Sequence, residues 1–66
     1  MEIVLNGVSR DVPDGLTLRD LLLRVEIDPE RVAVELNRNI VRRGEWTSRV
    51  VEPGACIEVV QFVGGG

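Results

Sequence analysis

The terminal carboxylate is the group of this 66-residue sequence most open to chemistry, because three glycines lead to it. Gly64, Gly65 and Gly66 carry no side chains, so another molecule can approach the carboxylate from any direction. An apolar run over residues 57–62 directly precedes them and predicts a β-strand. A flexible chain end or the remnant of a cloning linker would have the same composition, so position alone leaves both interpretations open.

The other side chains exclude most catalytic and metal-binding chemistry. With no His and one Cys, the sequence cannot assemble the usual nucleophile and base pairs, an internal disulfide, or an ordinary structural zinc or iron–sulfur site. We therefore expect no bound metal or cofactor, and a substrate of enzymes rather than a catalyst. Cys56 could carry a persulfide, but it has no basic neighbour in the sequence and we interpret it as an inert small residue.

Charge and hydropathy narrow the classes of partner. The formal net charge of -3 argues against nucleic acid, whose phosphates need clustered positive charge. No apolar run approaches the roughly 20 residues of a membrane span, and no signal-peptide pattern opens the chain. We expect a single cytoplasmic domain that binds neither nucleic acid nor membranes.

A hairpin and a helix are predicted in the first half of the chain. Residues 2–5 and 8–12 form strands on either side of Asn6-Gly7, a dipeptide suited to a tight turn. Thr17 is a helix N-cap, with Asp20 three residues later as in a capping box. The predicted helix covers about 18–25, and its apolar stripe consists of Leu18, Leu21, Leu22 and Val25.

The second half predicts three more strands. Residues 31–36 alternate in polarity, 40–42 return after a turn, and 56–62 form the last and most apolar strand. A single 3₁₀ turn over residues 44–48 would fold Trp46 over the edge of the core. We interpret this Trp as a hydrophobic plug rather than a binding anchor.

This order of elements predicts an α+β fold with one helix packed across a mixed sheet of four to five strands. It suits a β-grasp, in which the first and last strands lie parallel at the centre of the sheet. The predicted domain covers residues 1–62, and residues 63–66 form a flexible glycine tail.

Alternation along the last strand predicts a docking face. If the helix covers the side on which Ile57 and Val59 lie, period two turns the next residues outward. The outward residues are then Glu58, Val60 and Phe62, with Val4 on the neighbouring strand. Apolar side chains aligned on an exposed face indicate a site for a partner, unless a loop or the chain's own end covers them.

The glycine tail cannot supply binding affinity by itself and depends on an outward docking face. Extended from Val63 onward, it would reach about 13–14 Å beyond the domain, far enough to enter a narrow channel. Fixing three glycines there would cost on the order of 3–6 kcal/mol of backbone entropy, and glycine has little surface with which to recover it. The outward face must therefore supply the affinity.

Three stretches carry a resemblance to a known family: 15–22, 32–41 with Arg43, Glu45 and Trp46 beyond it, and 60–66. Across essentially its whole length the sequence resembles the small sulfur carrier proteins of thiamin thiazole biosynthesis, which have the ubiquitin-like β-grasp fold. The family pattern ends on a diglycine. That pattern corresponds here to Gly65 and Gly66, and Gly64 is an extra glycine before it.

The resemblance implies a specific chemistry. An E1-like adenylyltransferase would use ATP to adenylate the carboxylate of Gly66, and sulfur from a cysteine desulfurase would convert it to a thiocarboxylate. Thiazole synthase would then receive the sulfur. By the same resemblance Gly65 and Gly64 thread the enzyme active sites, Val60 and Phe62 help to dock the body, and the free carrier is a monomer.

Two other functions stay open at the level of sequence. The protein could carry sulfur for molybdopterin or cysteine synthesis, which close relatives of the family do. It could also be a ubiquitin-like binding module that docks without any chemistry at its terminus.

Overall fold

The computed structural model describes residues 1–62, within which five strands, one α-helix and two 3₁₀-helices form. The strands are β1 (Glu2–Leu5), β2 (Val8–Asp11), β3 (Val32–Leu36), β4 (Asn39–Val41) and β5 (Cys56–Gln61). The α-helix, α1, spans Leu18–Arg24, and the 3₁₀-helices span Pro29–Arg31 and Arg43–Glu45. Residues 63–66, predicted to be a flexible tail, lie outside the described residues.

The five strands form one mixed sheet in the order β2-β1-β5-β3-β4. β1 and β5 are parallel and pair at Val4↔Cys56 and Leu5↔Ile57, whereas β1–β2, β3–β4 and β3–β5 are antiparallel. The chain's last strand therefore lies in the middle, beside its first. The predicted α+β class and β-grasp arrangement are confirmed, with five strands rather than four.

Both hairpin turns depend on residues with positive φ. Asn6 and Gly7 have φ values of 49° and 80°, and Asn37 and Arg38 have values of 49° and 72°. Two successive positive φ angles define the two-residue turn that matches the twist of paired strands. Because Asn39 already pairs with Leu36, the second turn is shorter than the predicted three residues.

The helix begins as the sequence predicts. The Thr17 hydroxyl accepts a hydrogen bond from the Asp20 N–H at 3.1 Å, and the Asp20 carboxylate accepts one from the Thr17 N–H at 3.2 Å. The last helical residue is Arg24, one earlier than predicted. Val25 is the C-cap and Glu26 has a φ of 62°, a left-handed conformation that stops helical propagation.

The segment before β3 differs from its prediction. Proline disfavours a helical conformation of the residue before it, here Asp28, yet residues 29–31 form a 3₁₀-helix. The strand therefore starts at Val32 rather than at the predicted Arg31. The Asp28 carboxylate accepts a hydrogen bond from the Glu30 N–H at 2.9 Å. With Pro29 at its first position, this cap provides a start signal for a short helix rather than a stop.

The core lies between the helix and one face of the sheet. Its buried side chains are Ile3, Leu5, Val12, Leu18, Leu21, Leu22, Val32, Val34, Leu36, Val41, Trp46, Val51, Ala55 and Ile57. Trp46 is 2% exposed, and its indole N–H donates to the Val41 carbonyl at 2.8 Å. The Arg43 guanidinium lies 5.7 Å from the ring centroid and also bonds Glu30. The interpretation of Trp46 as a hydrophobic plug is confirmed.

Candidate docking face and carrier terminus

β5 directs the chain toward its glycine end. The N–H of Phe62 donates to the Arg31 carbonyl at 2.8 Å, so backbone pairing with the neighbouring segment continues one residue past the strand. Four of the residues predicted to form the site, Val63, Gly64, Gly65 and Gly66, lie outside the described residues. The structure therefore describes the strand that precedes them in the sequence.

The alternation predicted for β5 is confirmed. Ile57 is fully buried and Val59 packs against the core, whereas Glu58 is exposed. Val60 is 58% exposed and Phe62 is 57% exposed, both on the side of the sheet away from α1. Two large apolar side chains thus face outward immediately before the tail. Their role in docking stays a prediction.

Val4 lies on the same outward side but at a different level. It pairs with Cys56 and is half-buried. At about 3.3 Å per residue, Val4 is roughly 13 Å from the level of Val60 and 20 Å from that of Phe62. Val4 therefore does not share one patch with the two apolar residues near the tail, because the level of Glu58 lies between them.

Two glutamates occupy the centre of this open side. Glu35 on β3 pairs directly with Glu58 on β5, so their carboxylates project from neighbouring strands on one face. Within residues 1–62 neither carboxylate forms an ion pair. Directly opposed like charges destabilise a sheet by about 0.5 kcal/mol. Glu35 was missed at the level of sequence because cross-strand register cannot be deduced from alternation within one strand.

Apolar residues flank the acidic pair. Ile40 on β4 is opposite Glu35 and is 77% exposed, and Ala33 on β3 is opposite Val60. Ile40 was also missed, because a three-residue strand has too few residues to show which face each one takes. We call this surface the outer face, and it consists of Ala33, Glu35, Ile40, Glu58, Val60 and Phe62.

Two asparagine side chains hold β5 in place. The Asn6 side-chain oxygen accepts a hydrogen bond from the Val59 N–H at 2.7 Å, and the Asn37 side-chain oxygen accepts one from the Cys56 N–H at 2.9 Å. Each Asn sits in a hairpin turn with positive φ, a conformation that Asn tolerates well. These contacts fix both halves of the strand that precedes the tail.

Cys56 is exposed at the start of β5, on the same side as Glu58. Its carbonyl accepts a hydrogen bond from the Asn37 N–H at 2.7 Å. By register it lies far from the glycine end, on the order of 20 Å from the level of Phe62. The interpretation of this thiol as an inert small residue stays a prediction.

The opposite end of the sheet carries features that are separate from the outer face. The amino-terminal ammonium lies 3.2 Å from the Asp14 carboxylate, whose hydrogen bond raises the pKa of the ammonium above its ordinary value of 8.0. A cleft of about 400 Å³ near the start of β5 is lined by residues that include Leu36, Arg49 and Glu52. Both features lie near the start of β1 or β5, away from Phe62.

Residues 1–62 contain neither a cluster of metal ligands nor a membrane-spanning helix. No group of three His, Cys, Asp or Glu residues is arranged to hold a metal ion in this part of the chain. No helix there is long and apolar enough to cross a membrane.

Comparison with known proteins agrees with this geometry. The ThiS family model matches residues 3–66. The sulfur carrier protein ThiS of Escherichia coli is 29% identical over the full length of both chains. The crystal structure of the thiamine biosynthesis protein ThiS from Geobacter metallireducens is 30% identical, covers all of both chains and superimposes with a TM-score of 0.88.

A longer relative places the same domain in a different setting. The thiazole synthase of Magnetococcus marinus is 44% identical over all of this chain, which spans only 20% of that protein. The family resemblance that the sequence predicts is confirmed by the family match and by the full-length relatives. The chain belongs to the ThiS family.

Proposed function

We propose that this protein carries sulfur to thiazole synthase as a thiocarboxylate on Gly66. The observation that supports the proposal is the pair of exposed apolar residues, Val60 and Phe62, immediately before the glycines. In a chain of the ThiS family, such a face gives a partner enzyme an anchor beside the terminus on which it acts.

Activation is needed because a carboxylate is a poor electrophile. In the proposed sequence, an E1-like adenylyltransferase joins the carboxylate of Gly66 to the α-phosphate of ATP and releases pyrophosphate. The terminal sulfur of a persulfide, supplied by a cysteine desulfurase, attacks the acyl carbon and expels AMP. A second thiol then cleaves the sulfur–sulfur bond, which leaves the thiocarboxylate on the carrier.

In the proposed function the carrier binds the partner enzyme through its outer face and extends its glycine terminus into the active site. The outer face supplies apolar contact through Val60 and Phe62, and Glu58 and Glu35 offer negative charge to a basic side chain. The glycines add almost no contact area, but they fit where a side chain would clash. Bond making is left to the partner enzymes, and the carrier is their substrate.

Thiazole synthase is the favoured acceptor. The Magnetococcus marinus protein named thiazole synthase contains a 44% identical region that covers all of this chain. Covalent linkage raises the effective concentration of two parts that work together. Carriers for molybdopterin or cysteine synthesis are disfavoured because the full-length structural relative from Geobacter metallireducens is a thiamine biosynthesis protein.

The direct test is the intact mass of the carrier after incubation with ATP, the activating enzyme, the desulfurase and cysteine. We expect one oxygen atom to be replaced by sulfur. Removing any one of the three glycines leaves a chain that still ends on two, so this variant should be converted like the parent chain. Removing two glycines should abolish conversion. An unchanged mass of the parent chain with active enzymes would favour the binding module.

A further inference from the structure

The central strand β5 extends beyond the end of its neighbour β1. β5 runs from Cys56 to Gln61, but the register with β1 ends at Leu5↔Ile57. After Leu5 the chain turns away at Asn6 and Gly7. The last four residues of β5, 58–61, therefore have β3 on one side and no strand of residues 1–62 on the other.

Hydrogen bonds show which backbone groups face each side. Toward β3, Phe62 donates its N–H to the Arg31 carbonyl, and the carbonyl of Cys56 accepts from Asn37. Toward β1, the carbonyl of Ile57 accepts from the Asn6 N–H, and the Val59 N–H donates to the Asn6 side chain. Even-numbered residues of β5 thus face β3, and odd-numbered residues face β1.

The same alternation directs three backbone groups past the Asn6-Gly7 turn. They are the carbonyl of Val59 and the N–H and carbonyl of Gln61. No residue of the described range 1–62 accepts a hydrogen bond from the Gln61 N–H. We call these three groups the open edge.

The open edge lacks the usual protection against strand addition. Natural sheet edges are blunted by charged side chains, bulges or prolines. Here the side chain is that of Gln61, which is exposed, and its neighbours Val60 and Phe62 are exposed and apolar. By contrast, the outer strand β2 presents Arg10 and Asp11. The open edge is suited to receive another chain.

We propose that an extended segment of thiazole synthase adds to the open edge as a sixth strand beside residues 59–61. This inference rests on the proposed function, in which thiazole synthase is the acceptor. Strand addition takes its affinity from backbone hydrogen bonds and its specificity from alternate side chains. It would immobilise the carrier immediately before the tail and orient the glycines toward the active site.

Charge and hydropathy define the segment that fits. A residue of the added strand that faces outward lies beside Val60, so an apolar side chain is favoured there. Glu58 and Glu35 oppose each other on the same side without an ion pair in residues 1–62. A nearby Arg or Lys of the segment can reach Glu58. Its positive charge would offset the repulsion between Glu35 and Glu58.

Two substitutions at one position test the open edge. Gln61→Pro removes the N–H that faces the edge and leaves the hydrogen bonds toward β3 intact, which is where sheets accept proline. Gln61→Ala removes the same side chain but keeps the N–H. Binding to thiazole synthase of the same organism is measured by calorimetry. We expect the Kd of the Pro variant to rise about tenfold and that of the Ala variant to change less than about twofold.

Amide hydrogen exchange on the unmodified carrier gives a second measurement that does not depend on how the Pro variant folds. The Gln61 amide should exchange rapidly in the free protein and become protected in the complex. The Val59 amide, already bonded to Asn6, should change little.

The outcomes separate the two proposals. Equal affinities of the Pro and Ala variants, or a Gln61 amide that exchanges equally fast in the complex, would overturn strand addition alone. If the parent chain neither binds thiazole synthase nor delivers sulfur to it, the proposed function fails and strand addition fails with it. Sulfur transfer by the parent chain together with an unprotected Gln61 amide would retain the first proposal and reject the second.

Discussion

Both faces of the sheet carry large aliphatic side chains, but only those on the inner face are buried. On the inner face Ile3 and Ile57 are completely buried and Val34 is 1% exposed, whereas on the outer face Ile40 is 77% and Val60 is 58% exposed. Helix α1 covers the first face, and no described element covers the second. Aliphatic character alone therefore does not distinguish a residue that stabilises the fold from one available to a partner. Coverage by the helix does.

The uncovered outer face lowers the stability that the free protein could otherwise have. Burying an aliphatic side chain stabilises a fold by roughly 1.5–3 kcal/mol, and a domain of this size has little stability to spare. Leaving Val60, Phe62 and Ile40 uncovered forgoes that gain within the free protein. The same gain becomes available when a partner covers them.

Truncating one residue on each face of β5 should produce the largest difference between the two faces. We expect Ile57→Ala to lower the free energy of unfolding by about 3 kcal/mol, because it leaves a cavity in a close-packed core. Val60→Ala, on the same strand, should change it by less than about 0.5 kcal/mol. Urea unfolding followed by circular dichroism measures both. Similar losses for the two variants would mean that the outer face is also part of the core.

Removing the aromatic ring next to the tail should affect binding rather than folding. We expect Phe62→Ala to weaken binding to thiazole synthase by about 2 kcal/mol, or roughly 30-fold in Kd, as for a central interface anchor. Leu23→Ala is the matched control, because Leu23 is 52% exposed but lies on the helix. Equal effects of the two substitutions on Kd would contradict a localised docking face.

Neutralising the acidic pair should produce the smallest effects, with opposite signs for folding and binding. Glu58→Gln should stabilise the free protein by about 0.5 kcal/mol at low salt, because it removes the like charge opposite Glu35. The gain should fade in about 1 M salt, where charges are screened within roughly 3 Å. Glu58→Gln should also weaken binding to thiazole synthase, because it removes a negative charge from the outer face.

Glu52→Gln changes the same charge away from the outer face and serves as the control for that substitution. It lies in the loop before β5, beside the cleft at the other end of the sheet. Stabilisation by both substitutions would indicate a general effect of net charge. A specific repulsion between Glu35 and Glu58 would then be contradicted.

Local sequence signals predicted much of the fold because their physics is local. Asn6-Gly7 specifies a tight turn through positive φ, and Thr17 with Asp20 specifies a helix start through two short hydrogen bonds. Errors occurred where a residue at the boundary could join either element. The helix ended one residue early at Arg24, and β3 began one residue late at Val32.

Contacts between segments far apart in the sequence could not be predicted from local sequence signals. The Asn6 side chain holds the Val59 N–H across 53 residues of sequence, and Glu35 meets Glu58 only through the β3–β5 register. Alternation correctly predicted that the Val4 side chain faces outward. It could not predict that Val4 pairs with Cys56, because that depends on the register between β1 and β5. A shift of register by two residues would preserve every alternation pattern and move each of these contacts.

By itself, the sequence determined which side of each longer strand is apolar, where the turns form, and which chain end is free of side chains, because these depend on residues close together in the chain. Only the tertiary structure decided that Ile40 and Glu35 share a face with Val60, and that β5 extends beyond β1. Those relations depend on pairing between strands far apart in sequence, where many registers satisfy the same local preferences and packing against α1 selects one.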